Sequence, residues 1–135
     1  MRSASIYAGD EQGAKGVKYD RPGGDAKIRK PLPCRPDDIL CQPTSIWQLH
    51  RDLIAIRRER PWIADGQLEV TQVDNASITY QVRSQQNQLL VLLNISDRAI
   101  AMSVPTNLVA VAGPALSQQR FAELPAQAWG IWASS

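Results

Sequence analysis

The chain has 135 residues, of which 44% are hydrophobic and 21% charged, and its formal net charge is +2. This length suits one ordinary domain, and the composition is typical of a soluble globular protein, which excludes collagen, a coiled coil and disorder throughout. We expect no membrane span and no recognisable secretion signal, and the small net charge argues against a nucleic-acid partner. The compartment is left undetermined.

Residues 1–43 differ in composition from the rest. They contain ten of the seventeen Gly and Pro residues, all four Lys residues and half of the charged residues. Within residues 8–38 the only branched aliphatic residues are Val17, Ile28 and Leu32, at a spacing that suits neither a helix nor a strand. So few apolar groups cannot offset the entropy lost when a segment of this length is ordered. We therefore expect residues 1–43 to be poorly ordered alone or to lie on something outside this chain.

An amphipathic helix is predicted next. Thr44 or Ser45, after Pro43, can cap its first turn, and Pro61 ends it. Its apolar face is formed by residues at helical spacing, which are Ile46, Leu49, Leu53 and Ile56.

Beyond Gly66 the hydrophobic period changes to two, which indicates strands. The first is predicted to end at an Asp74-Asn75 turn, where Asn tolerates a positive φ. In the second, from Ile78 to Val82, apolar residues alternate with Thr79, Gln81 and Arg83, so we expect one buried and one wet face.

Leu89–Leu93 is apolar without alternation, which predicts a central strand covered on both faces. Further short strands are expected at Ile100–Val104, Leu108–Val111 and Ala128–Ala133. Together these elements predict a mainly β fold, a small antiparallel β-sandwich.

Asp10 and Glu11 form the most prominent carboxylate pair near the N-terminus. Adjacent residues of an extended chain point to opposite sides, so these two cannot flank one glycosidic bond as a catalytic pair, and a structural role is favoured. Cys34, Cys41 and a single His50 cannot build a zinc site. The cysteines are read as free thiols, or as a local disulfide in an oxidising compartment. We predict neither a metal nor a cofactor.

Trp129 and Trp132 near the C-terminus could stack on sugar rings. A spacing of three places them on opposite faces of a strand, so at most one is exposed, and core packing is the favoured interpretation. The sequon Asn94-Ile95-Ser96 lies in a predicted strand and carries little weight as a glycosylation site.

Four segments, in this order, resemble parts of the α-amylase-type enzymes, glycoside hydrolase family 13. Ser5–Gly13 resembles the eighth barrel strand, residues 16–29 the long loop after it, residues 53–63 the eighth helix and its exit, and Leu90–Ser96 a central strand of the C-terminal β-sandwich. The resemblance implies a last barrel strand and active-site-side loop at 1–43, the last barrel helix at 44–62 and the sandwich domain at 63–135. In the isolated chain we expect the helix to pack on the sandwich.

In that family the nucleophilic Asp, the acid/base Glu and a third Asp stand on barrel strands four, five and seven, which precede the segment matched by this chain. The resemblance therefore implies that no residue here is catalytic, and that the parent enzyme acts on an α-glucan or a small α-glucoside. It places Asp10, Glu11, Arg21, Asp25 and Arg29 as candidates for substrate contact, because loops that follow barrel strands line the active site.

Three functions remain open on this basis. The first is the C-terminal part of an amylase-like glycosidase, inactive alone. The second is a non-catalytic carbohydrate-binding module, and the third an interaction subunit that completes a barrel supplied by a separate chain. The lone barrel strand also exposes an edge through which the chain could self-associate.

Overall fold

The computed structural model describes residues 5–6, 9–13, 15–27, 45–114, 116–118 and 121–134, with the side chains of Lys27 and residues 116–118 excepted. The chain separates into two compact units, Ser3–Glu59 and Arg60–Ser135 with Met1–Arg2. The domain boundaries predicted at residues 43 and 62 stay a prediction. So does poor order in residues 1–43, since residues 28–44 lie outside the described part.

The residues that the structure describes in the first unit form one helix and two short 3₁₀ turns. The predicted helix is confirmed as α1, Ser45–Glu59, and the turns are Asp10–Gln12 and Gly24–Lys27. Of the predicted barrel strand, Ser5–Gly13, only residues 7 and 8 lie outside the described part; Ser5 and Ile6 have no regular secondary structure, and Asp10–Gln12 forms a 3₁₀ turn instead of a strand.

Several polar side chains of α1 have partners within the helix. Gln48 donates to Asp52 over 2.7 Å, and His50 donates through Nδ1 to the carbonyl of Ile46 over 2.8 Å. The guanidinium of Arg51 lies 4.8 Å from the centre of the Trp47 ring. His50 thus has a local structural role. None of the described helices is long and apolar enough to cross a membrane.

The second unit is an antiparallel β-sandwich, which confirms the predicted fold class. A five-stranded sheet has the order β1-β2-β3-β8-β5, and a three-stranded sheet the order β4-β7-β6. A 3₁₀ turn, Pro61–Ala64, precedes them. The strands are β1 Gln67–Val73, β2 Ser77–Ser84, β3 Asn87–Asn94, β4 Ile100–Ser103, β5 Leu108–Ala112, β6 Leu116–Gln118, β7 Phe121–Leu124 and β8 Ala128–Ser134.

The core lies where the two sheets face each other. It includes Leu92 and Trp132 from the larger sheet and Ala122 and Leu124 from β7, with exposures of 0–1%. β3 is central, and its residues Leu89–Leu92 are buried on both faces, as predicted. β6 and β7 were missed by the sequence reasoning, although Phe121–Leu124 alternates in burial with the period of a strand.

The β1–β2 turn differs from its prediction. Positive φ angles occur, among the described non-glycine residues, at Gln85 and Gln127, and Asn75 has none. Instead the Asp74 carboxylate closes the turn through Oδ1, which accepts the N–H groups of Ala76 and Ser77 at 2.7 Å each. These bonds, with a third from the Ser77 hydroxyl, lower the pKa of Asp74 from its ordinary value of 3.8.

We expect Asp74→Ala to lower the melting temperature, because two backbone N–H groups lose their acceptor. Since the pKa of Asp74 is lowered in the folded state, its contribution is fully present above the unfolded-state value and lost as pH falls through the folded value. The difference in melting temperature between the wild type and the variant should therefore become smaller below about pH 4. Thermal unfolding at pH 7, 4 and 2.5 measures this difference. Asp97→Ala, in another exposed turn, is the control, and an equal effect of both substitutions would contradict the assignment.

Candidate functional site

Asp10 and Glu11 lie in a short 3₁₀ turn rather than on an extended strand. The turn is bounded by Gly9 and Gly13, whose φ angles of 97° and 64° suit glycine. The carboxylate of Glu11 accepts the backbone N–H of Gly9 at 3.1 Å, which supports the turn, while Asp10 is exposed. A side chain at Gly13 would collide with Ile46 of α1. The left-handed φ of Gly13 requires glycine there, whereas the flexible end of the Ile46 side chain could move away from an added Cβ.

Arg21 and Asp25 lie together in the loop Lys18–Asp25, which lines a cavity of about 420 Å³. The loop is closed by backbone hydrogen bonds from Tyr19 to Gly24 over 3.3 Å and from Gly24 to Arg21 over 2.9 Å. A side chain at Gly24 would collide with the carbonyl of Tyr19, so the loop can close this tightly only at glycine.

The side chains of this loop carry both signs of charge. Lys18 and Asp25 form an ion pair of 3.5 Å whose side chains are 71% and 43% exposed, so the pair adds little to stability. Arg21 lies over the ring of Tyr19, 5.4 Å from its centre. Exposed donors and acceptors beside an aromatic ring are suited to a polar ligand. Arg29, Cys34 and Cys41 lie outside the described residues.

The two C-terminal tryptophans lie in different surroundings. On β8 the side chain of Trp132 is 1% exposed and belongs to the core, so its ring offers no face to a sugar. Trp129 is half-buried. Among the described residues no group of three or more His, Cys, Asp or Glu side chains could hold a metal ion.

Thr79 and Gln81, on the polar face of β2, are turned inward against the expectation of a wet face, whereas Arg83 at the end of the strand is exposed as expected. Thr79 and Gln81 are 6% and 5% exposed, as buried as Val82 on the other side of the strand. Gln81 donates to Glu69 of β1 and accepts from Gln88 of β3, both at 2.7 Å. Because neighbouring side chains satisfy it, the polar face can be buried at little cost.

This face borders a cavity of about 630 Å³ between the two sheets, which we call the inter-sheet groove. Sequence reasoning missed it, and the alternation of Thr79, Gln81 and Arg83 was the signal that could have indicated it. Half of its lining residues are neutral and polar, and the residues come from β1, β2, β3, β4 and the adjoining turns: Thr71, Gln72, Asp74, Ser77, Thr79, Gln81, Arg83, Gln88, Leu90, Ile100, Ala101, Met102, Ser103 and Pro105.

No protein-family model matches the sequence. No curated protein matches it either. Solved structures do match in fold. A mutant of the trehalulose synthase MutB in complex with the substrate sucrose has a TM-score of 0.58 at 19% identity, over 73% of this chain and 19% of that one.

Two further matches agree. An isomaltulose synthase mutant from Erwinia rhapontici NX5, in complex with D-glucose, gives a TM-score of 0.60 at 19% identity over 75% of this chain and 20% of that one. Eubacterium rectale Amy13B gives 0.60 at 18% identity, over 79% and 23%. The chain thus spans about a fifth of the length of these proteins, and at such identities the likeness is one of fold.

Proposed function

From the premise that this chain has the fold of the C-terminal part of α-amylase-type enzymes, we propose that it serves as that part of a glycoside hydrolase acting on α-glucosidic bonds. The catalytic carboxylates would then lie in the portion of the enzyme outside the sequence described above. The fold match carries the proposal, because it covers about three quarters of this chain and about a fifth of the matched enzymes.

The surface of α1 supports this proposal. None of its residues is buried, and Ile46, Leu53 and Ile54 are 38–39% exposed. An amphipathic helix gains most of its stability by burying its apolar face against another element. We propose that the remaining barrel units provide that element, as they would for the last helix of a closed barrel.

The substrate contacts in this proposal come from the loop Lys18–Asp25. Arg21, which lies over one face of the Tyr19 ring, and Asp25, which is paired with Lys18, supply charged donors and acceptors for sugar hydroxyls beside an aromatic ring. Asp10 would contact substrate from the neighbouring 3₁₀ turn, whereas Glu11 holds the turn through Gly9. Arg29 is proposed with them from the resemblance alone.

The chain alone is expected to release no p-nitrophenol from p-nitrophenyl α-glucoside above the protein-free blank. Retaining hydrolysis needs two carboxyl groups about 5–5.5 Å apart across one glycosidic bond. The adjacent Asp10 and Glu11 cannot supply them, because Glu11 is engaged with the backbone of its own turn. An α-amylase assayed in parallel is the positive control. Turnover by the wild type that Asp10→Asn abolishes would contradict the proposal.

A non-catalytic carbohydrate-binding module is the second candidate, favoured by the half-buried ring of Trp129. Binding of maltoheptaose at this ring would change the indole emission in the wild type and in Trp132→Phe alike, whereas Trp129→Phe would abolish the change. An unchanged emission in the wild type would remove this candidate.

A further inference from the structure

The inter-sheet groove exists because the two sheets differ in width. Three strands of the smaller sheet face five strands of the larger one, and β4 forms the edge of the smaller sheet next to the groove. Thr79 of β2 donates to the sulfur of Met102 on β4 over 3.6 Å, which joins the two sheets at the base of the groove. The inner faces of β1 and β2 beyond that contact border open space.

The amide groups at the base are held in a defined orientation. The Gln81 Nε2 donates to Glu69 Oε2, and the Gln81 Oε1 accepts from Gln88 Nε2, each over 2.7 Å. Thr71 donates to the carbonyl of Thr79 over 3.2 Å. Since Gln81 is 5% exposed, its rotamer is also restricted by packing. A ligand therefore meets hydrogen-bonding groups that lose little conformational entropy on binding.

These contacts leave hydrogen-bonding capacity for a ligand. An amide carries two N–H donors and an acceptor oxygen, and the bond to Gln81 uses one donor of Gln88. The second N–H and the Oε1 of Gln88 form an adjacent donor and acceptor, a pattern that matches neighbouring hydroxyl groups. Among the strands that the structure describes, β4 pairs with β7 alone, so the backbone groups on its other edge face the groove.

The remaining lining suits a neutral ligand with an apolar side. Leu90, Ile100 and Met102 provide an apolar strip next to the amides. The charged lining residues, Asp74 and Arg83, flank β2 at its two ends and carry opposite signs. A polyanion or polycation would gain little here, whereas a sugar presents hydroxyl groups around its rim and C–H groups on its faces.

We propose that the inter-sheet groove binds a neutral oligosaccharide, a chain of α-linked glucose units, at a site separate from the loop Lys18–Asp25. Its volume of about 630 Å³ falls within the usual range of about 300–1,000 Å³ for ligand sites. Because no aromatic ring is among the lining residues that the structure describes, we expect a dissociation constant on the order of 1 mM. The choice of α-linked glucose rests on the proposed function, and the groove itself rests on geometry.

The test is a titration of the full ¹⁵N-labelled chain with maltoheptaose, followed by ¹⁵N–¹H correlation spectra. We expect shifts at the side-chain amide of Gln88 and at the backbone N–H of Ser103. Gln88→Ala removes the donor and acceptor pair and should weaken binding about fivefold.

Gln86→Ala is the matched control, because Gln86 belongs to the same hairpin but lies outside the groove. A titration with cellohexaose tests the identity of the ligand separately from the existence of the site. Groove shifts with cellohexaose and none with maltoheptaose would overturn the α-linked assignment and count against the proposed function. Absence of groove shifts with both sugars, or equal affinities of Gln88→Ala and the wild type, would overturn the site and leave the proposed function standing.

Discussion

Replacing Trp132 by alanine is expected to lower the free energy of unfolding by about 3–5 kcal/mol, the range for removing a large aromatic side chain from a core. Trp132 is 1% exposed and lies on β8 opposite Leu90 of β3 and Ala110 of β5. It belongs to the same apolar cluster as Leu124 of the other sheet. Its removal therefore leaves a cavity where the sheets meet. Urea denaturation followed by circular dichroism measures the change.

Two variants make this result interpretable. Val109→Ala lies on the same sheet but is 52% exposed, so its effect should stay within about 0.5 kcal/mol. Trp132→Phe keeps most of the volume and removes an indole N–H that has no partner among the described residues, so its cost should be well below that of alanine. Equal stability of Trp132→Ala and Val109→Ala would contradict the position of Trp132 in the core.

Replacing Asn94 by aspartate is expected to cost about 3–5 kcal/mol near neutral pH, as a buried charge does when no opposite charge lies beside it. Asn94 is 1% exposed at the end of β3. Its Nδ2 donates to the carbonyls of Arg98 at 2.9 Å, Pro125 at 2.8 Å and Leu124 at 3.3 Å. One oxygen of an ionised carboxylate would keep the two bonds that the Oδ1 of Asn94 accepts from Ser96. The other oxygen has no N–H to donate and would face the three carbonyl oxygens, which together with burial raises the pKa of the carboxyl group in the folded state.

The raised pKa makes the stability of Asn94→Asp depend on pH. A group whose pKa is raised on folding contributes most below its unfolded-state value, about 3.9 for aspartate, and its contribution is lost as pH rises through the folded value. The loss of stability in Asn94→Asp should therefore grow from pH 4 to pH 7. Asn107→Asp, in an exposed turn, is the matched control and should show little of this slope. Equal pH profiles for the two variants would contradict the assigned role of Asn94.

Local signals predicted the elements that have strong periodicity. The apolar spacing from Ile46 to Ile56 and the stop at Pro61 indicated α1, and the alternation around Tyr80 indicated β2. β7 was overlooked because four residues between turns carry too little periodicity. Yet its Ala122 and Leu124 are among the most buried residues, since they lie opposite the larger sheet. Short strands of this kind depend on partners that are distant in sequence.

The candidate site shows the same limit. Sequence reasoning singled out Arg21 and Asp25, and the structure places both on one closed loop. It could not indicate that Glu11 holds the backbone of its own turn, because that contact requires the positive φ of Gly9. Nor could the sequence show which of the two tryptophans is buried, because their burial depends on the strands on either side of β8.

By itself, the sequence determined the helix, most strands, the covered central strand and the resemblance to an amylase C-terminal region, because each follows from spacing and residue type along one segment. Only the tertiary structure decided that the polar face of β2 turns inward and that a groove opens beside β4. The reason is physical: alternation tells which residues share a face of a strand, whereas what covers that face depends on the width and order of two sheets assembled from distant segments.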